Sequence, residues 1–313
     1  MNDPNAQPVS AGSFHFHNPL TKFIGTVLYK QTSFYDRIIG LLIRTFARMN
    51  TTIDLPVTVI NRQFASLLLD RIVKIDLYYC GNLSVQPDYK LCLINDGQDL
   101  EKMDFPSLLP SVLNDAPVIF AGIHCGEKRM DEYGMAVAPD YKGRGGLAST
   151  YQQFILNELL PYIYAQFPDQ NITSHAFAGF SLGGLSALDI VWNNPDVFSQ
   201  VAVFSGSLWW RSRDAADKDF DPFADRLMHR QIREGAYKPG LKFFFQCGLQ
   251  DEKDDRNKNG VIDSVDDTID VMKELILKGY KEGRDITYLQ LADGKHDVSS
   301  WAKAFPVFLK QLV

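Results

Sequence analysis

Residues 179–183, Gly-Phe-Ser-Leu-Gly, set one hydroxyl between glycines where the pattern changes. The run before it, "SHAFAGF", is β-rich, and the run after it, "LGGLSALDIVWNN", has helical spacing. A serine on a sharp strand-to-helix turn holds its oxygen above the sheet. The helix that follows points its partial positive charge at a reacting carbonyl oxygen. Backbone passes close to backbone in so tight a turn, which explains the flanking glycines. The chemistry encoded is nucleophilic attack on a carbonyl carbon, with Ser181 as the attacking group.

A serine hydroxyl needs a base to take its proton. In this strand–turn–helix setting the partners follow in the order serine, acid, histidine. Only His229 and His296 lie after Ser181. His229 sits in "RLMHRQI", ahead of the seventh strand pattern, which is too early. His296 follows the last strand pattern, in "LADGKHDVSSW", where the base belongs. The acid should follow "LKFFFQCG": Asp251 is the favoured residue and Asp254 the next. An oxyanion needs two backbone N–H donors. Leu182 supplies one. The turn in "INDGQDL" supplies the other, from Gln98 with Asp99 as the alternative.

These groups need a scaffold. "PVTVINR", "RIVKIDLYYC" and "KLCLIND" read as β-strands joined like a meander. From "PVIFAGIHC" onward, strands alternate with helices, ending on "DITYLQL" and "VSSWAKAFPVFLKQL". Alternation with continuous apolar strands predicts a mostly parallel eight-stranded sheet with helices on both faces, an α/β domain over residues 53–313. Residues 1–52 read as an N-terminal extension with an amphipathic helix in "SFYDRIIGLLIRTFARMN". It could dock on its own domain, cover the site, join a second copy or lie on a membrane surface.

The 313 residues carry a net charge of −6 with no dense basic cluster, which argues against a nucleic-acid partner. The four cysteines form no CxxC pair and read as reduced thiols. No run approaches the ~20 apolar residues of a membrane span. No signal peptide is visible, so the expected location is cytoplasmic.

From about residue 55 onward the chain resembles the Putative esterase family of α/β hydrolases, which includes ferric enterobactin esterases, feruloyl esterases and mycolyltransferases. The resemblance rests on "LINDGQD", "FILNELLPYI", "GFSLGG", "FSGSLWW", "CGLQDE" and "GKHDVSSW". It implies an α/β-hydrolase fold and a serine hydrolase cleaving small-molecule carboxylic esters through an acyl-enzyme. It puts the nucleophile on Ser181, the base on His296, the acid on Asp251 and the strand-three oxyanion donor on Gln98. Lys295 stands where the family often has a second glycine. Acyl transfer would use the same triad, and a non-catalytic binding protein is the reading from a different class.

Two stretches extend the site. Trp209 and Trp210, in "SGSLWW", are expected to floor a substrate pocket, with core packing the equal alternative. "GIHCGEKRMDEYG", holding His124, Arg129 and Glu132, reads as a solvated loop. Beyond the acid, "DRNKNGVIDSVD" has the oxygen-ligand spacing of a calcium loop. Asp255, Asn257, Asn259, Asp263 and Asp266 supply side chains and Val261 its carbonyl, with Gly260 at the turn. A structural calcium ion fixing the loop beside Asp251 is the expectation.

Overall fold

The structure is a computed structural model and describes residues 56–83, 88–113 and 116–313. The helix expected within residues 1–52 lies outside them. Eight strands form one sheet: β1 (Val57–Ser66), β2 (Arg71–Cys80), β3 (Asp88–Asn95), β4 (Val118–Ile123), β5 (Asn171–Phe180), β6 (Gln200–Phe204), β7 (Lys242–Gln250) and β8 (Ile286–Lys295). Their spatial order is β1-β2-β4-β3-β5-β6-β7-β8.

β2 runs antiparallel to both of its neighbours, and every other pairing is parallel. The mostly parallel sheet is therefore as expected, but the opening meander is not. β3 skips past β4 and pairs in parallel with both β4 and β5. Parallel neighbours need a crossover. The segment between β3 and β4, with helical turns at Phe105–Leu108 and Pro110–Leu113, supplies it.

Along the strands, side chains alternate between two apolar layers. Leu91, Leu93, Val201, Val203, Phe243 and Phe245 join one, and Cys92, Ile94, Ala202, Phe204 and Phe244 the other. Over the first layer lie α1 (Ala148–Phe154), α2 (Leu160–Gln166), α3 (Leu182–Asn193), α4 (Leu227–Glu234) and α5 (Asp263–Lys278). Over the second lies α6 (Val298–Leu312), packed on Phe180 and Phe204 through Trp301 and Phe305. A π-helical turn, Ile155–Leu159, joins α1 to α2 just before Pro161, whose nitrogen has no hydrogen to donate.

Two features aim the last strand at the site. β8 continues four residues past the "DITYLQL" run, and its register against β7 shifts between Gly248 and Gln250. A Cβ on Gly248 would stand 2.3 Å from the Gly294 carbonyl oxygen, so only glycine lets the two chains close there. His296 then leaves the strand directly, at the same sheet end as the residue after β5. Among the described residues no helix is long and apolar enough to cross a membrane.

Candidate active site

Ser181 sits between β5 and α3 with φ 53 and ψ −121, a region L-residues rarely occupy. Holding a non-glycine residue there costs on the order of 1–3 kcal/mol. The surroundings enforce it. The Ser181 N–H donates to the Phe204 carbonyl at 2.8 Å, and the Ser207 N–H donates to the Ser181 carbonyl at 3.0 Å. A Cβ on Gly179 would lie 2.2 Å from the Gly183 carbonyl oxygen, so the turn closes only over glycine. The Ser181 hydroxyl is half-buried and 3.4 Å from that of Ser207.

Asp251 follows β7. Its Oδ2 accepts the Gly248 N–H at 3.1 Å, while Oδ1 is buried without a partner among the described residues. Burial pushes its carboxyl above the usual range, opposed by the Gly248 N–H, the nearby Ser205 hydroxyl and the charge of His296. Ser205 is itself held, accepting a hydrogen bond from Trp301 Nε1 at 3.0 Å. His296 rests edge-on against the Trp301 ring, at 5.5 Å between centroids. Burial lowers its imidazole below the ordinary value; Asp251 pulls it up and Arg129 pushes it down. His296 thus sits within electrostatic reach of the expected acid. Neither of its ring nitrogens forms a hydrogen bond with Ser181 or Asp251 among the described residues. Catalytic hydrogen bonds often tighten only when substrate binds.

His229 is fully buried on α4. Its Nε2 lies 2.9 Å from the Asp267 carbonyl, and burial and Arg226 push its pKa down to about 4. Its ring contacts are Arg226, at the start of α4, and the Asp267 carbonyl on α5.

The turn after β3 forms the facing wall. Gly97–Asp99 make a single 3-10 turn, entered through Asp96 at φ 60. The main-chain N–H groups of Gln98 and Leu182 lie in the first turn of their helices, where no preceding helical carbonyl is there to accept them. Both are thus available to an oxyanion. Asp96, 2% exposed, receives Arg129 Nε and Nη2 on its two oxygens, each at 2.7 Å. Its N–H meets the Tyr133 hydroxyl at 3.2 Å. The Gln98 side chain spans from Asp96 (3.3 Å) to the Cys125 N–H (3.1 Å). Next to it, Asn95 Nδ2 donates to the Gly183 carbonyl at 2.8 Å and ties this turn to the serine elbow.

This network corrects the reading of "GIHCGEKRMDEYG" as solvated for the three residues singled out, although Glu127, Lys128, Met130 and Asp131 are exposed. Glu132 is fully buried and bound by Arg71 at 2.8 and 2.9 Å, His124 meets Asp76 at 2.7 Å, and Arg129 holds Asp96. The sequence offered no signal for Arg129 beyond its place after the fourth strand, because its partner lies 33 residues away.

Of the tryptophan pair, Trp210 has no exposure and packs under Gly134 and Gly145, so it floors no pocket. Trp209 is half-buried and lines a cavity of about 570 Å³ that also borders Glu252, beside Asp251. All four cysteines are unpaired.

The 255–266 loop folds on its own side chains. Asp255 accepts the N–H groups of Asn259 and Gly260, at 3.1 and 2.9 Å, and Gly260 has φ 86. The Asn257 and Asn259 amides both reach Asp266, at 2.9 and 2.7 Å. Asp263 instead opens α5 and accepts the Arg256 N–H at 2.9 Å, with the Arg256 guanidinium 3.4 Å away. The Val261 N–H donates to Asn259 Oδ1 at 2.7 Å. Asp254, the alternative acid, accepts the Asp263 N–H through its carbonyl at 2.8 Å. Among the described residues, no three His, Cys, Asp or Glu side chains are grouped to hold a metal by themselves. Any ion here would depend on the asparagine and main-chain oxygens as well.

A strained serine between a parallel strand and a helix, with an acid after β7 and a histidine after β8, defines an α/β hydrolase. The chain belongs to the Putative esterase family, whose model matches residues 69–312. A siderophore triacetylfusarinine C esterase of Aspergillus fumigatus is 37% identical over 70 residues, 22% of this chain and 24% of that enzyme. The chain thus spans about a quarter of the length of that curated relative. Among solved structures, the enterobactin esterase FES from Shigella flexneri superposes with TM-score 0.59 at 19% identity, over 83% of this chain and 59% of that one. An IroE-like serine hydrolase from Shewanella oneidensis gives 0.61 at 19% identity, over 82% and 80%. The siderophore hydrolase EstB from Aspergillus nidulans gives 0.56 at 18%, over 83% and 98%. At these identities the structures share the fold.

Proposed function

We propose that this chain is a serine esterase acting on small-molecule carboxylic esters. Ser181 attacks the ester carbonyl while His296 takes its proton, and Asp251 orients the imidazole and stabilises its cation. The Leu182 and Gln98 N–H groups receive the negative oxygen. The alcohol leaves with the proton from His296, and a water activated by the same ring releases the acid. The observation that carries this reading is the Ser181 backbone. A serine held at φ 53 and ψ −121 directly before a helix carries backbone strain that a role for its hydroxyl accounts for. Relatives that act on siderophores make siderophore esters such as triacetylfusarinine C and enterobactin the first substrates to try. A fluorophosphonate probe should label the intact protein on the peptide containing Ser181. Absence of label, or label elsewhere, refutes the assignment.

A calcium ion in the 255–266 loop is the structural part of this proposal. Asp255, Asn257, Asn259, Asp263 and Asp266 with the Val261 carbonyl would hold it, and its charge would offset carboxylates that Arg256 alone does not balance. Addition of EGTA should then lower the melting temperature by about 2–4 °C, the scale of 1 kcal/mol in a domain of this size, and excess calcium should restore it. A melting curve indifferent to both reagents removes the ion from the account.

A further inference from the structure

The turn that follows β6, residues 205–207, carries two hydroxyls that the mechanism above does not use. Ser205 is buried at φ 46, and its hydroxyl is committed to the Trp301 indole at 3.0 Å. Ser207 is 5% exposed, and the partner of its hydroxyl among the described residues is Ser181 Oγ, at 3.4 Å. A buried hydroxyl is expected to have a hydrogen-bond partner. Here that partner is the attacking oxygen itself.

The main chain fixes this pair. The Ser181 N–H donates to the Phe204 carbonyl at 2.8 Å, and the Ser207 N–H donates back to the Ser181 carbonyl at 3.0 Å. The Ser205 N–H donates to the Gln246 carbonyl at 2.8 Å, and the Trp210 N–H to the Ser207 carbonyl at 3.2 Å. A Cβ on Gly206 would stand 2.4 Å from Val203 Cγ1, so the turn settles onto β6 only with glycine between the two serines. Ser207 is therefore placed beside the nucleophile before any substrate arrives.

The reaction puts charge on Ser181 Oγ twice. In attack, Oγ bonds to the ester carbonyl carbon while its proton passes to His296. In breakdown of the acyl-enzyme, the bond from Oγ to the acyl carbon breaks, its electron pair returns to Oγ, and His296 gives the proton back. A hydroxyl has one proton to donate and lone pairs to accept with. The Ser181 proton is destined for His296, so the proton in the contact between the two serines is that of Ser207. A separation of 3.4 Å is long for O–H···O. Hydrogen bonds to a charged acceptor are shorter and stronger, so the contact tightens as charge gathers on Oγ. An interaction that strengthens in the transition state raises the rate.

We propose that Ser207 is a further catalytic residue, donating a hydrogen bond to Ser181 Oγ both when that oxygen attacks and when it leaves. No proton is transferred from Ser207. Its role differs from that of the Leu182 and Gln98 N–H groups, which act on the oxygen of the substrate. This deepens the esterase reading and rests on it.

The test replaces the donor in two ways. Ser207→Ala removes it, and Ser207→Cys keeps the shape of the side chain but offers only a weak donor. Each should lower kcat for a short p-nitrophenyl ester about 10- to 100-fold, the scale of a hydrogen bond to a charged group. Each should slow fluorophosphonate labelling of Ser181 by a similar factor. Labelling isolates the attack, because it requires no deacylation. The acid limb of the pH profile should stay in place, because Ser207 is uncharged and the groups around His296 are untouched. Ser207→Thr keeps the hydroxyl and should exceed the other two variants in both rates. Melting curves identify any variant that fails to fold, and Ser207→Cys, closest in shape, then carries the result. Wild-type rates in Ser207→Ala or Ser207→Cys, or an acid limb that moves with the loss, overturn the role while leaving the esterase reading intact. A wild-type protein that fluorophosphonate does not label on Ser181 defeats the esterase reading and the role of Ser207 with it.

Discussion

Ser181→Ala should lower kcat for a short p-nitrophenyl ester by about four to six powers of ten, the range seen when a triad nucleophile is removed. The loss is this large because one oxygen performs the step that every later step depends on. His296→Ala should cost a similar amount. The double variant should cost scarcely more, since the groups act as a unit. Stability gives an independent readout. Alanine keeps a Cβ at φ 53 and so keeps the strain, whereas Ser181→Gly relieves it. The glycine variant should therefore be as inactive as the alanine variant yet more stable by about 1 kcal/mol or more, visible as a higher melting temperature. Loss of activity with a fall in stability would mean that the serine is a packing residue. Retained turnover in either variant would mean that another group attacks.

The parts of this site that were legible in the sequence are those written in local pattern. Gly179 and Gly183 announce a close approach of main chains, and the switch from β-rich to helical spacing at Ser181 marks the turn between β5 and α3. His296 was found by its order in the chain and its place after the last apolar strand. What the sequence hid depends on partners far apart in the chain. The β-rich runs at Arg71–Cys80 and Asp88–Asn95 look like neighbours. Their true separation by β4 is settled by which edges pair, and apolar side chains carry no record of that. Trp209 and Trp210 are identical in type and adjacent, yet one borders a cavity and the other fills the core beneath it. The stretch around Arg129 is polar enough to pass for a solvated loop. Glu132 is buried and Arg129 half-buried because Arg71 of β2 and Asp96 of the turn after β3 meet them, while Glu127, Lys128 and Asp131 stay exposed.

That hidden network sets the second large effect. Arg129→Met would strand the Asp96 carboxylate, which is 2% exposed, without its bidentate partner. Breaking a buried pair in this way costs roughly 3–5 kcal/mol, so the melting temperature should fall markedly. Asp96 also enters the turn that presents the Gln98 N–H, at φ 60, and anchors the Gln98 side chain. A displaced turn withdraws an oxyanion donor, and kcat should drop about 10²–10³-fold, the effect of deleting one such donor. The pH profile distinguishes this from general loosening. The Arg129 charge, together with burial, lowers the His296 imidazole, and the base works only when neutral. Removing the cation lets the imidazole hold its proton to higher pH, so the acid limb of kcat/KM should move upward. Arg129→Lys restores a positive charge but not the two-pronged contact. It should return the acid limb toward its original position while leaving kcat low. An acid limb that stays fixed in Arg129→Met, or moves downward, would show that Arg129 does not act on His296. Unchanged kcat in both variants would show that the Asp96 clamp does not hold the oxyanion turn.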